Sequence, residues 1–493
     1  MTDAFSLPEP DVSAEHPVSE HWVWAGAHRP AIPRSFTDRM TQGWASHEIP
    51  SHQHPAVARF AARRAALCAA LPGKTIVVPS GNYKVRSNDT DYSFRTANDF
   101  YYLTGCQDAD VVLVITPDAD ATLYMAPRRD QRTHEFFTNS RYGELWVGPR
   151  RDLDEAALFF QIGTAPLDRL EKDLIELDPI NVLVDRGIDL GVDALLPVND
   201  DDRLVPLTLS DFRLVKDEYE IAQLQAAVDY SILGFEDVVR ALPAARQRGE
   251  RVIEGVFHLR ARVEGNDVGY NTIAASGSNA TILHWMTNNG DVRDGDLLLL
   301  DAGVEVNELY TADVTRTIPI NGTFSPAQRR VYDIVLRAAD ASIAALKAGV
   351  PFSLSHETAT RVLVEGLIEL GILTDDVETI MRRDVQSYRR YTLHGTSHML
   401  GLDVHDCTVS RDAHGSGELR AGYVMTVEPG LYFQPNDLTV PAEYRGIGVR
   451  IEDDVLITTD GCVNMSARLP RDPDEIEAWM AGLWAGGPSD LAR

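Results

Sequence analysis

At 493 residues the chain exceeds what one hydrophobic core usually supports, and its 44% hydrophobic content is ordinary for a globular protein, so two domains are expected. Forty-six basic against 74 acidic residues leave a net charge of −28, which repels phosphate backbones and anionic lipid and argues against nucleic-acid and membrane partners. Four cysteines, Cys68, Cys106, Cys407 and Cys462, form no C-x-x-C pair and read as reduced thiols of a reducing compartment.

The start, MTDAFSLPEPDVSAEHPVSE, has acids and prolines where a secretory signal needs a basic start and an apolar core, and no apolar run approaches a membrane span of about 18 residues. A cytoplasmic protein is expected. Residues 1–50 mix Pro, His, Ser and Trp without periodicity and read as a loosely structured extension, although Trp22, Trp24 and Trp44 argue against full disorder. Helical spacing over 56–71 precedes a strand at 74–78, and apolar runs at 111–115, 122–125 and 181–184 alternate with helical stretches. This is the pattern of an α/β domain, placed at 51–210.

The acidic stretch PVNDDDRLVP (197–206) reads as a boundary. The proline-free segment DFRLVKDEYEIAQLQAAVDYSILGFEDVVRAL, apolar at three- and four-residue intervals, then predicts one helix opening a second domain over 211–493. Two more helices are predicted over 326–347 and 357–370, with Gly349 and Pro351 stopping the first. LLLLDAG is an apolar run ending in a carboxylate and a glycine, which suits a buried strand delivering Asp301. Similar reasoning puts Glu428 on a strand YVMTVEPGLYF and Glu452 on a strand GVRIEDDVLITTDG that turns at Asp460 and Gly461.

Asp301, Asp313, His398, Glu428 and Glu452 are the candidate metal ligands. Four carboxylates and one imidazole can hold two divalent ions. An oxygen-rich set favours hard or borderline ions such as Mn²⁺, and one histidine does not impose tetrahedral zinc geometry. Carboxylates beside apolar strands would repel one another and shift upward in pKa unless cations neutralised them, so a paired-metal hydrolase is the first expectation. Arg450, two residues before Glu452, shares its face on a strand and can orient a bridging carboxylate.

LHWMTNNGDVRDGDLLLLDAG, ADVTRTIPING, HGTSHMLGLDVHD, TVEPGLYF and YRGIGVRIEDD resemble the successive motifs of the dimetal pita-bread peptidases, most closely aminopeptidase P. RSNDTDYSFRTANDFYYLTG and DADVVLVITPD resemble the N-terminal domain shared by aminopeptidase P, prolidase and creatinase. The resemblance implies a mixed α/β (α+β) protein: a creatinase/prolidase-like α/β domain, then a catalytic domain with a curved antiparallel sheet and flanking helices. It implies that Asp313 and Glu452 bridge two ions, that Asp301 completes one, and that His398 with Glu428 completes the other. A water shared by the ions would be the nucleophile, and Glu428 would carry its proton toward the leaving proline nitrogen. His284 or His405 would donate to the carbonyl oxygen, and His394 would help form the proline subsite.

The implied substrate is a peptide with proline in second position. Prolidase, acting on Xaa-Pro dipeptides, is the near alternative, and methionine aminopeptidase is disfavoured because it usually lacks the first domain. A metal-free creatinase or a non-catalytic peptide-binding relative fits a complete ligand set poorly. The resemblance further implies a homo-oligomer, dimer or tetramer, with Trp146 in ELWVGPR as a candidate contact to a neighbouring subunit. Three features depart from the pattern. Asp301 and Asp313 are twelve positions apart, one more than expected, so a bulge or longer hairpin should absorb a residue. Cys407 stands where valine is expected, and CTVSRDAHGSGE differs near the pocket rim, which leaves fine substrate preference open. Tyr432 by itself reads as a core aromatic.

Overall fold

The computed structural model describes residues 22–23, 32–45, 52–88, 90–410, 417–487 and 489. Most of the extension 1–50, with Trp24, and the rim stretch 411–416 lie outside the described residues. The chain divides into two compact units, Met1–Val205 and Pro206–Arg493.

The first unit is built on five strands. In order across the sheet they are Gly163–Pro166, Ala121–Met125, Val112–Ile115, Thr75–Pro79 and Val182–Val184, parallel at the two outer pairings and antiparallel within. Thr75–Pro79 is buried throughout, as its β-branched run requires of a central strand. Helix Val57–Ala70 buries Phe60 and Leu67, and its buried Arg63 and Arg64 donate to the carbonyls of Tyr102 and Leu103.

The expected single entry helix of the second unit is two, Leu204–Leu214, which begins at the unit boundary, and Glu218–Arg248. The cause is a capping box. The Asp217 carboxylate accepts from the backbone N–H of Tyr219 and Glu220, while the Glu220 carboxylate accepts from that of Asp217. Lys216 N–H meanwhile leaves the helical ladder and donates to the Gly422 carbonyl. Helix Glu218–Arg248 packs on Arg251–Glu264, and Pro326–Ala345 packs on Leu354–Glu369. The third of these starts on a second capping box, Ser325 with Gln328, and has proline in its first turn.

The strands that carry the candidate site are antiparallel. Ile273–Ser276, Leu297–Ala302 and Val314–Pro319 form one group, Gly430–Tyr432 pairs with Gly448–Arg450, and Val424–Val427 lies beside Asp453–Ile457, which pairs with Cys462–Asn464. Isolated bridges from Thr315 to Glu452 and from Met399 to Met425 join these pieces. Glu428 and Glu452 thus sit in breaks between strands rather than inside continuous ones. Pro429 explains this, since it has no N–H for the ladder and contributes only its carbonyl, to Ile451 N–H.

The extra residue between Asp301 and Asp313 is absorbed by a longer hairpin tip and not by a bulge. Pairing holds one register from Leu297 opposite Pro319 to Glu305 opposite Thr311. The chain then turns through Val306–Tyr310, with Leu309 left-handed at φ 65°. Gly303 permits the close approach at the base of this hairpin, because a Cβ there would stand 1.8 Å from the Ala312 carbonyl oxygen.

Candidate metal centre

Strand alternation aligns the first donors. Asp301 is opposite Thr315, and Asp313 lies two residues before Thr315, so all three side chains share one face. Thr315 in turn bridges to Glu452, and Glu428 follows the strand beside Asp453. His398 is fixed by backbone pairing with Thr426 and by a hydrogen bond from its N–H to Thr426 Oγ1. The result is one cavity of about 820 Å³ lined by all five candidate ligands and by His284, His394, His405 and Arg450.

Within it, Asp313, His398 and Glu452 each offer a donor atom, all within 4.8 Å of one another. His398 Nε2 stands 3.2 Å from Asp313 Oδ2 and 3.5 Å from Glu428 Oε1, while its Nδ1 is 3.2 Å from the Met399 carbonyl. A proton on Nδ1 donated to that carbonyl would leave Nε2 free to accept a cation. Asp301 Oδ1 accepts from Tyr270 O–H at 2.6 Å and its Oδ2 accepts from Arg450 Nη2 at 2.5 Å. Glu452 Oε2 accepts from Thr315 O–H at 2.6 Å, and Thr315 Oγ1 accepts from Arg450 Nε at 3.2 Å. Arg450 therefore grips Asp301 directly and reaches Glu452 only by way of Thr315, unlike the direct hold on a bridging carboxylate expected from shared strand facing.

The histidines occupy separate positions. His394 Nε2 is 2.8 Å from Tyr432 O–H, which also accepts from Arg450 Nη1 at 3.0 Å. The His405 ring packs on that of His398 with centroids 4.2 Å apart. His284 lies on an exposed part of the cavity wall. Neither Tyr270 nor Thr315 is among the site residues expected from the sequence, and Tyr432 is expected in the core, yet all three hydrogen-bond to residues lining the cavity. For Thr315 the signal was available, as it stands two residues after Asp313 in ADVTRT and so shares its face; for Tyr270 no motif marks it.

Burial dominates the electrostatics. It pushes Glu428 up to about 7, against His398, and lifts Glu452 well above the ordinary carboxylate range, reinforced by Asp313, Glu428 and Asp301. Asp313 is raised by burial too, with His398 opposing and Asp301 adding. Burial also drives up Asp454, whose Oδ2 accepts from Asp313 N–H. Burial would lower His398, but the Asp313 and Glu428 carboxylates outweigh it and hold the ring up at about 9. Burial and Arg450 lower His394 to about 4. So many buried carboxylates lining one cavity need more positive charge than His398 and Arg450 provide, and an oxygen-rich set with one imidazole fits divalent cations.

The family described as "Aminopeptidase P, N-terminal domain" matches residues 60–178, and "Metallopeptidase family M24" matches residues 222–459. These matches and the cavity define a two-domain metallopeptidase. The Xaa-Pro aminopeptidase 1 of Streptomyces coelicolor is 49% identical over 487 residues, 97% of this chain and 98% of its own. The Xaa-Pro aminopeptidase of Escherichia coli K12 is 35% identical over 439 residues, covering 85% and 97%. The solved structure of E. coli aminopeptidase P with the inhibitor Pro-Leu superposes with a TM-score of 0.77 at 32% identity, over 88% of this chain and 99% of that one. The chain belongs to the aminopeptidase P family of the M24 metallopeptidases.

Proposed function

We propose that Asp301, Asp313, His398, Glu428 and Glu452 hold two divalent cations, Mn²⁺ by preference, and that the protein is a metal-dependent aminopeptidase releasing the first residue of peptides with proline in second position. The observation that carries this is the convergence of five donors from four stretches of chain in one cavity, in a chain nearly half identical to a named Xaa-Pro aminopeptidase over almost its whole length. When bound, the ions supply Lewis acidity and a water of lowered pKa. Asp313 and Glu452, whose donor atoms lie within 4.8 Å of each other and of His398, would suit the bridging positions, and Asp301 is aimed by Tyr270 and Arg450.

Glu428, between His398 and His394, takes the proton of the attacking water and passes it to the proline nitrogen, which departs poorly unless protonated. His284 or His405 donates to the carbonyl oxygen as it gains negative charge. His394, held by Tyr432, walls the proline subsite.

Residues 51–210 form the creatinase/prolidase-like domain and 211–493 the catalytic one. A cytoplasmic location is supported by the four free cysteines, three of them buried. Among the described residues no helix is long and apolar enough to cross a membrane. Assembly into a dimer or tetramer is supported by the exposure of Leu145, Trp146 and Val147 side by side. The test is hydrolysis of an Xaa-Pro-Xaa tripeptide beside an Xaa-Pro dipeptide by Mn²⁺-loaded protein, with and without chelator. Metal-dependent release of the first residue from the tripeptide supports the proposal, and cleavage of the dipeptide alone refutes it.

A further inference from the structure

One buried carboxylate outside the candidate ligand set organises the cavity wall. Glu250 precedes helix Arg251–Glu264 and is fully buried. Its Oε1 accepts from Ser276 N–H at 2.7 Å and Asn279 Nδ2 at 2.9 Å, and its Oε2 accepts from the Trp285 indole at 2.8 Å and Gly290 N–H at 2.6 Å. All four donors are neutral and all belong to the stretch 276–290. Glu250 N–H adds a bond to the Gly290 carbonyl, closing the base of that loop.

The loop is pinned a second time by Asn288, itself buried, which accepts from Ala274 N–H and donates to the Thr272 carbonyl. Between these anchors Leu283 and Trp285 pack on Ile273, Ala275, Leu299 and Tyr432, while His284 lines the cavity. The neighbours of His284 thus face the core, and only Trp285 among them is tied by a hydrogen bond to a charged group. Buried charge with four well-formed bonds is stiff, since breaking any one leaves a desolvated acceptor or donor.

We propose that Glu250 is a positioning residue for the reaction: by clamping the Trp285 indole and the two ends of the loop, it sets where the His284 ring stands over the scissile carbonyl. This rests on the proposed role of His284 as a donor to the carbonyl oxygen. A shift of about 1 Å in such a donor costs on the order of 100-fold in rate, whereas substrate affinity depends on the rest of the cavity.

The experiment is a double-mutant cycle on the metal-loaded full chain, with Glu250→Gln, Trp285→Phe and His284→Ala alone and in pairs, reading kcat, KM and bound ions per chain. Glu250→Gln and Trp285→Phe should each lower kcat by about 10- to 100-fold with KM and ion content little changed. In the His284→Ala background neither should lower kcat further. Trp285→Phe keeps the ring and removes one bond, so it answers the question even where Glu250→Gln does not fold. Losses that multiply with that of His284→Ala, or parent-level kcat in Trp285→Phe, overturn the clamp and leave the proposed activity standing. A His284→Ala variant with full kcat overturns the role of His284 and the clamp together.

Discussion

Replacing Arg450 with lysine separates charge from geometry in the candidate centre. The buried guanidinium spreads three bonds over Asp301, Tyr432 and Thr315. A lysine ammonium keeps the charge and can reach Asp301, but a single nitrogen cannot also span Tyr432 and Thr315. Two hydrogen bonds are lost at roughly 0.5–1.5 kcal/mol each, so about 1–3 kcal/mol of positioning disappears, equivalent to about 5- to 150-fold in kcat/KM. Thr315→Val, which cuts only the relay to Glu452, should cost less, about 1 kcal/mol or fivefold. Initial rates on an Xaa-Pro-Xaa peptide at saturating Mn²⁺, with ion content measured on the same samples, give both numbers. Parent-level kcat/KM in Arg450→Lys would show that Arg450 does not organise the site.

Asp313→Ala, which removes a donor central to the cluster, should lower bound ions per chain and reduce turnover by at least about 1000-fold; intact turnover contradicts the bridging role. Because ions bind only the folded cavity, calorimetry should show a higher Tm with excess Mn²⁺ than with chelator, corresponding to about 2.7 kcal/mol at a hundredfold excess over Kd, and an equal Tm argues against the site. Asp406→Asn tests the loop that links His398 to His405. Asp406 accepts from Arg213 Nε, Cys407 N–H and Leu402 N–H, and Arg213 with Lys216 keeps its carboxyl below the ordinary range against the push of burial. Neutralising it removes a carboxylate partner from buried Arg213 and should cost about 3–5 kcal/mol by denaturant unfolding, where a loss under about 1 kcal/mol would show the pair to be dispensable.

The candidate donors were legible because each lies in a short apolar strand or beside a motif residue. LLLLDAG is a buried strand ending in its carboxylate, and the separation of Asp301 and Asp313 announced a lengthened hairpin, though whether by tip or bulge depended on register that only pairing reveals. The apolar runs predict continuous strands through Glu428 and Glu452, where the structure has breaks. Proline's missing N–H was visible in VEPG, but its effect on the neighbouring strand at Glu452 is a cross-strand property. The helix break at Lys216 was likewise written in D-E-Y-E, the capping box, beneath an apolar spacing that runs straight through it. Tyr270 and Glu250 act across the fold, on Asp301 and on the loop 276–290, and neither contact has a local signature.

The most direct test is anomalous diffraction from crystals grown with Mn²⁺. Two peaks per chain are predicted, one beside Asp301 and one beside His398 and Glu428, with Asp313 and Glu452 between them. A cavity with a single peak or none, or manganese held by other side chains, would contradict the account.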